Sequence, residues 1–208
     1  MSSPADRSTA RPDRRTLIAD TAIGLVAAAG LRGLTHRAVD AAAGLPAGST
    51  SYYLRTRTAL IGACYQRLAE LDVEDIDRTS LTAGGADGRG GVPDREAVAA
   101  AMAAALHRWL TEGRARQLAR FELSLEAARN PELETDFHRA GEVPRAKAAE
   151  VLAALGAPRP REAAELLVAW MDGLLYDRLA GALARSRPEP DPAELADASR
   201  RMLDAALA

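Results

Sequence analysis

The sequence predicts an all-α protein, with an N-terminal three-helix helix-turn-helix unit joined to a larger C-terminal helical bundle. Three observations predict it. Ala and Leu dominate the 208 residues while aromatics make up only 4%, and Ala and Leu give up little conformational freedom in a helix. Apolar residues recur at three- and four-residue spacing, the period of one helical face. No segment reads as a strand.

Residues 1–12, rich in Ser, Pro and Arg, read as a flexible arm. From Asp13 a helix begins, with Leu17, Ile18, Ala22, Leu25, Val26 and Ala29 on one face. Gly30 is its expected C-cap, followed by Leu31 as the apolar contact such caps favour. Thr35 is a good N-cap for a second helix whose apolar face is Ala38, Val39 and Ala42, and Gly44 stops it. Pro46 suits the first turn of a third helix running from Ala47 through Tyr53. Two short helices joined by a tight Gly-containing turn make a helix-turn-helix. Thr56 then caps a longer helix carrying Leu60, Ile61, Cys64, Leu68, Leu71 and Val73.

Between Arg78 and Asp94 the chain is rich in glycine (Gly84, Gly85, Gly88, Gly90, Gly91) and reads as a mobile loop. With no preceding strand and no following Gly-Lys-Ser/Thr, it does not read as a phosphate cradle. Helices are expected over roughly 94–111, 115–129, 131–155 and 161–185. A last one, after the Pro-rich hinge 187–192, carries Leu195, Met202, Leu203 and Leu207. The domain reading is therefore an arm (1–12), a helix-turn-helix domain (13–57) and a helical sensing and dimerisation domain (58–208).

Composition narrows the class further. Hydrophobic residues at 48% and charged residues at 27% are ordinary for a folded globular chain. Cys64 is the only cysteine, which rules out an intrachain disulfide or a cysteine-based metal cluster, and it reads as a small half-buried helix residue. The polar N-terminus is not a secretory signal. The longest uncharged apolar run, Thr21 to Leu31, falls short of the roughly 20 residues that span a bilayer. A cytoplasmic protein with no membrane partner, no metal and no cofactor is expected. The formal charge of −2 is asymmetric: residues 1–60 hold eight basic against four acidic groups, a basic end on an acidic remainder. Such an end suits a polyanion.

The segment Thr35–Leu60, THRAVDAAAGLPAGSTSYYLRTRTAL, resembles the DNA-binding signature of the tetracycline-repressor (TetR) family. The resemblance lies in the leading Thr35, the Ala41-Ala42-Ala43-Gly44-Leu45 turn, the Gly48–Leu54 helix, and Thr56-Arg57 before Ala59-Leu60. With the helix that ends at Gly30-Leu31 it covers about 50 residues in order. Two positions depart from it: Ser51 stands where the family usually has an aromatic residue, and Leu54 where it has Phe or Val.

The residues themselves suit a recognition helix, whose first turn must touch base edges in the major groove. Ala47 and Gly48 allow close backbone approach, and Ser49, Thr50 and Ser51 offer short hydroxyls to bases or phosphates. By position in the motif, Tyr53 is placed as a phosphate contact and Tyr52 as a base or sugar contact; either could instead be a core aromatic. The resemblance likewise implies phosphate contacts for Thr35, whose alternative is pure capping, and for Arg57, whose alternative is a solvated arginine. Arg37 is a further DNA candidate, and Arg11, Arg14 and Arg15 form either a groove-embracing arm or a charged tail. A phosphate-bound Arg57 implies that Arg57→Ala flattens the salt dependence of binding by about one unit.

For the remaining 150 residues the resemblance implies dimerisation and a small-molecule effector that changes the spacing of two DNA heads. Dimer candidates are Leu174, Leu175, Leu179 and Leu183 with Leu195, Met202 and Leu203; each alternatively belongs to the intrachain core. Pocket candidates are Met102, Leu106, Trp109, Phe121, Leu125, Phe137, Trp170 and Met171, although a Met and aromatic set at helical spacing is more often plain core. His107, His138, Glu122 and Glu126 are the polar residues able to orient a ligand, with a solvated face as the alternative for the glutamates. The implied partners are a double-stranded DNA operator, a second copy of the chain and an unidentified effector. Two rivals stand beside this regulator: a ligand-free DNA binder, and an all-α enzyme, for which no nucleophile–base pair or metal cluster assembles by spacing. An enclosed cavity between the middle helices favours a sensor; a solid core favours the ligand-free binder.

Overall fold

The computed structural model describes residues 13–78 and 94–208. The expected arm with Arg11, and the glycine-rich stretch 79–93, lie outside the described residues. Among the described residues every regular element is helical: α1 (Arg14–Gly33), α2 (His36–Ala42), α3 (Ser49–Tyr53), α4 (Arg57–Arg78), α5 (Arg95–Leu110), α6 (Arg114–Ala127), α7 (Glu134–Ala154), α8 (Pro160–Leu179) and α9 (Pro192–Ala206). A single 3-10 turn, Pro131–Leu133, introduces α7.

The chain direction of α1 breaks at Gly30, which sits at φ 65° and ψ −175°, and one further helical turn then reaches Gly33. By length and composition alone α1 is long and apolar enough to cross a bilayer. Here Ile18, Ala19, Ala22, Ile23 and Val26 are buried against the rest of the head. The third helix is shorter than its expected span. Pro46 and Ala47 form a turn, and helical geometry begins at Ser49 behind Gly48, whose φ of 90° is a conformation that a side chain would strain. α8 likewise stops at Leu179 rather than near 185, giving way to turns before the Pro-rich hinge.

One core joins the head to its support. Val39, Leu54, Leu60, Ile61, Cys64, Tyr65 and Leu68 pack with α1 and with Ala119, Leu123 and Ala127 of α6 and Leu133. Packing therefore does not divide at 57/58, since the first half of α4 is as much part of the head core as α1 is. Cys64 is wholly buried rather than half-buried, and burial pushes its thiol up to about 12. Arg67 of α4, whose guanidinium meets Asp20 of α1 at 2.8 Å, ties the two helices at the surface.

Two further clusters fill the body. One gathers Val98, Met102, Leu152, Ala164, Leu167 and Leu203; the other gathers Leu106, Leu110, Leu175, Leu179 and Leu195. This corrects the dimer expectation. Leu175, Leu179, Leu195 and Leu203 are each no more than 5% exposed within one chain, because α9 lays its apolar face along α5 rather than outward. Leu174 and Met202 are half-buried against these clusters, while Leu183 is 62% exposed.

Candidate nucleic-acid interface and cavity

The recognition helix is too short to hold itself, and its position comes from a buried carboxylate. Asp40, on α2 and 5% exposed, accepts from the Gly48 backbone N–H through Oδ2 at 2.8 Å. Its Oδ1 accepts from the Thr50 N–H at 2.8 Å and the Thr50 hydroxyl at 2.6 Å. These bonds satisfy orphan donors of the first turn of α3, where the helix dipole also favours a negative charge. The Thr50 hydroxyl, against the opposing cost of burial, holds the Asp40 carboxyl below its usual range, and the two backbone N–H groups add to it. At the other end of α3, His36 Nε2 bonds the Leu54 carbonyl at 2.7 Å, which fixes that nitrogen as the donor.

Several expected contacts are thereby reassigned. Thr50 is fully buried and spends its hydroxyl on Asp40, so it does not offer it to DNA. Ser49 donates to the Pro46 carbonyl at 2.6 Å. The Arg57 guanidinium donates to the Leu34 carbonyl and, at 2.7 Å, to the Leu31 carbonyl, closing the C-terminal end of α1. That is a different employment from the phosphate contact implied by the motif, although the residue is exposed. Thr35 does cap α2, accepting from Ala38 N–H at 3.1 Å, and its hydroxyl proton stays available to an acceptor.

What the head presents outward is Tyr52, 78% exposed, with exposed Arg37, Ala47, Gly48 and Ser51. Tyr53 is half-buried on the head core, its ring edge-on to Tyr52 at 5.2 Å. Leu54 is a core residue at 6% exposure, as its substitution for Phe or Val implies. Arg14, Arg15 and Arg55 are exposed as well. Asp40 and His36 were missed as positioning residues, and Arg55 as a surface candidate. Asp40 carried a legible signal, an acidic residue eight positions before a glycine that opens a helix.

The body contains a partly open cavity of about 200 Å³ lined by α4, α5, α6, α7 and α8, with Leu203 of α9. Of the pocket candidates, Met102, Trp109, Phe137 and Met171 line it. Leu106 is fully buried in a neighbouring core, Leu125 is 52% exposed, Phe121 packs edge-on to Tyr176 at 5.5 Å, and Trp170 packs in another cluster. These four lie outside the wall because helical spacing alone does not say which face meets the void. His107, His138, Glu122 and Glu126 also lie outside it. The wall instead holds the polar Tyr65 and the charged Asp72, Arg120, Arg145, Lys147 and Asp172, positions not expected from the sequence. Arg120 pairs with Asp72 and Lys147 with Asp77. Pro144 lies inside α7 and lacks the N–H that would bond the Ala140 carbonyl, at the stretch where Ala140 and Gly141 face the cavity.

A helix-turn-helix head braced on a hollow helical body defines a DNA-binding transcriptional regulator. A family model described as tetracyclin repressor-like, C-terminal domain, matches residues 93–207. The chain belongs to the TetR family of transcriptional regulators. No curated protein matches it. Among solved structures, the multidrug binding protein EbrR complexed with ethidium is 29% identical, with 92% of this chain and 98% of that chain covered and a TM-score of 0.65. A TetR-family member, SCO1917 from Streptomyces coelicolor A3, is 24% identical over 95% of this chain and 99% of that one, TM-score 0.65. A transcriptional regulator from Rhodococcus sp. Rha1 is 22% identical over 94% and 96%, TM-score 0.71. The last two are likenesses of fold.

Proposed function

We propose that this regulator is a ligand-responsive repressor that binds, as a homodimer, a palindromic operator in double-stranded DNA and releases it when a small molecule enters the body. The observation that carries the reading is the double membership of α4: Tyr65 and Leu68 belong to the head core and also line the cavity. Tyr65 further donates to the Leu123 carbonyl of α6 at 2.8 Å and touches Phe137 of α7, ring centroids 5.2 Å apart. A molecule that moves these groups moves a wall of the head. The neighbour EbrR, complexed with ethidium, supports a small-molecule effector by analogy. The cavity is partly open rather than enclosed, and its apolar lining supports this reading over a ligand-free binder.

On this reading residues 13–57 read DNA, and residues 58–208 sense and dimerise, with α4 shared between the two. DNA contacts fall to Thr35, Arg37, Ser51, Tyr52, Tyr53 and Arg55, with the backbone at Ala47 and Gly48 admitting close approach. A dimer is required because one five-residue recognition helix reads too few base pairs. Its face on α8 is the exposed line Leu166, Ala169, Gly173 and Tyr176, at helical spacing, continued by Leu183.

Gel-shift titration against the DNA upstream of the protein's own coding region, with and without pooled metabolites, tests the reading. The expected result is specific binding that a ligand pool releases. Absence of preference over random DNA at physiological salt would overturn it.

A further inference from the structure

We propose that the effector is a compact apolar molecule of no net charge whose one polar group both donates and accepts a hydrogen bond, as a carboxamide does. Asp172 accepts from that group and Arg120 Nε donates to it. The inference rests on the reading of the cavity as an effector site, and specifies the chemistry of what enters. Five charged side chains line the wall: Asp72, Arg120, Arg145, Lys147 and Asp172. Arg120 pairs with Asp72, and Lys147 pairs with Asp77, which is not a wall residue. That leaves Asp172 and Arg145, opposite in charge and near enough for Arg145 to act with Arg120 on the Asp172 carboxyl. The wall is therefore balanced in charge, and a ligand with a net charge of either sign upsets that balance.

Balanced charge still leaves hydrogen bonds unmade. Asp172, on α8 beside Met171, makes no hydrogen bond or ion pair with any described residue. Arg145 is exposed and donates to the Gly141 carbonyl at 3.0 Å, so it offsets the charge of Asp172 without giving it a donor. Arg120 keeps a buried Nε–H with no partner. An acceptor on α8 and a donor on α6 thus stand unmet on one wall, close enough to act on each other's charge yet not bonded to each other. Buried polar groups of this kind are costly until each is met. A carboxamide meets both, its N–H reaching the carboxylate and its carbonyl the Nε–H. An ammonium meets only the first, and a carboxylate meets only the second while facing Asp172 with a like charge. The lining around them, including Leu68, Met102, Val151 and Leu167, is apolar and suits a hydrocarbon body. At about 200 Å³ the space is below the usual range of ligand pockets, about 300–1,000 Å³, which keeps that body compact.

Isothermal titration of the full chain at neutral pH, with four compounds built on one cyclohexane frame, tests the polar group. They are cyclohexanecarboxamide; cyclohexyl methyl ketone, which accepts but cannot donate; cyclohexylmethylammonium, a cation; and cyclohexanecarboxylate, an anion. Wild type is expected to bind the carboxamide at least about tenfold more tightly than each of the others. Asp172→Leu should remove the advantage over the ketone. Arg120→Lys, which keeps a cation against Asp72 and deletes the Nε–H, should weaken the carboxamide and the ketone by a similar factor. Equal or tighter binding of any of the other three to wild type overturns the proposal. So does an advantage over the ketone that survives in Asp172→Leu, and so does failure of all four to bind. The effector site itself is tested apart from its chemistry. If a ligand pool still releases DNA from the cavity-filling Ala105→Phe, the site and the proposal fall together; if that release is lost, the site stands whichever way the titrations fall.

Discussion

In the head, the buried carboxylate of Asp40 is met by three donors from the recognition helix, whereas in the body the carboxylate of Asp172 faces a void with no donor on it. The same functional group thus does two jobs. Fully satisfied, it fixes the orientation of a helix too short to persist alone, because moving α3 would strand buried N–H groups. Unsatisfied, it leaves free energy to be recovered by a partner. The two also respond to acid with opposite signs. The folded-state value for Asp40 is lowered, so its stabilisation is present above the ordinary carboxylate range and is lost as pH falls through the lowered value. That for Asp172 is raised, so its cost is present above the raised value and disappears as pH falls through it.

The largest effect that can break this contrast is Asp40→Ala. Removing the acceptor strands Gly48 N–H, Thr50 N–H and the Thr50 hydroxyl in a buried site, and should cost ~2–4 kcal/mol. Denaturant unfolding should report that loss, and gel shift a loss of operator binding even where the protein stays folded. Wild-type stability for Asp40→Ala would mean that packing alone holds α3. The companion change, Asp172→Asn, should raise the thermal midpoint of the ligand-free protein at neutral pH, and the gain should vanish in acid.

The head was legible in the sequence and the body only in outline, for a physical reason. The head's decisive contacts lie within a few residues of each other: Thr35 with Ala38, Asp40 with Gly48 and Thr50, Thr56 with Ala59. Caps and turns at such range are written in local residue order. The cavity wall draws on helices far apart in sequence, with Asp72, Arg120 and Asp172 set side by side by packing alone. Periodicity identified Met102 and Met171 as inward but placed Phe121 and Leu125 inward too, because a helix in a bundle has more than one apolar face. Arg57 shows the converse failure. Its place in the motif pointed at phosphate, yet its guanidinium closes the end of α1 through two carbonyls.

Arg57→Ala sharpens that last point. Loss of two charge-assisted bonds at a partly exposed site should cost about 1 kcal/mol of stability. With the guanidinium held on those carbonyls, the salt dependence of operator binding should stay at the wild-type slope. A slope lower by about one unit would return Arg57 to the phosphate contact. Tyr65→Phe probes the seam between the two regions. It deletes only the buried bond to the Leu123 carbonyl, worth about 1 kcal/mol. Its more telling readout is ligand-induced release of DNA, which should weaken while ligand affinity and operator affinity each remain near wild type. Undiminished release would place the coupling elsewhere along α4.

The smallest effect on stability, and the most informative about recognition, is expected at Tyr52→Ala. The ring is 78% exposed and touches Tyr53 only edge-on, so unfolding free energy should stay within about 0.5 kcal/mol of wild type. Tyr53→Ala, by contrast, removes a ring packed on the head core and should lower stability and binding together. If Tyr52 meets DNA, operator affinity falls with no loss of fold, by ~1 kcal/mol. The comparison with random DNA then separates the two kinds of contact. A loss confined to the operator assigns the hydroxyl to a base edge, and an equal loss on both assigns it to the backbone. Unchanged affinity on both would mean that α3 meets DNA through Ser51 and its backbone alone, with Asp40 still setting its angle from behind.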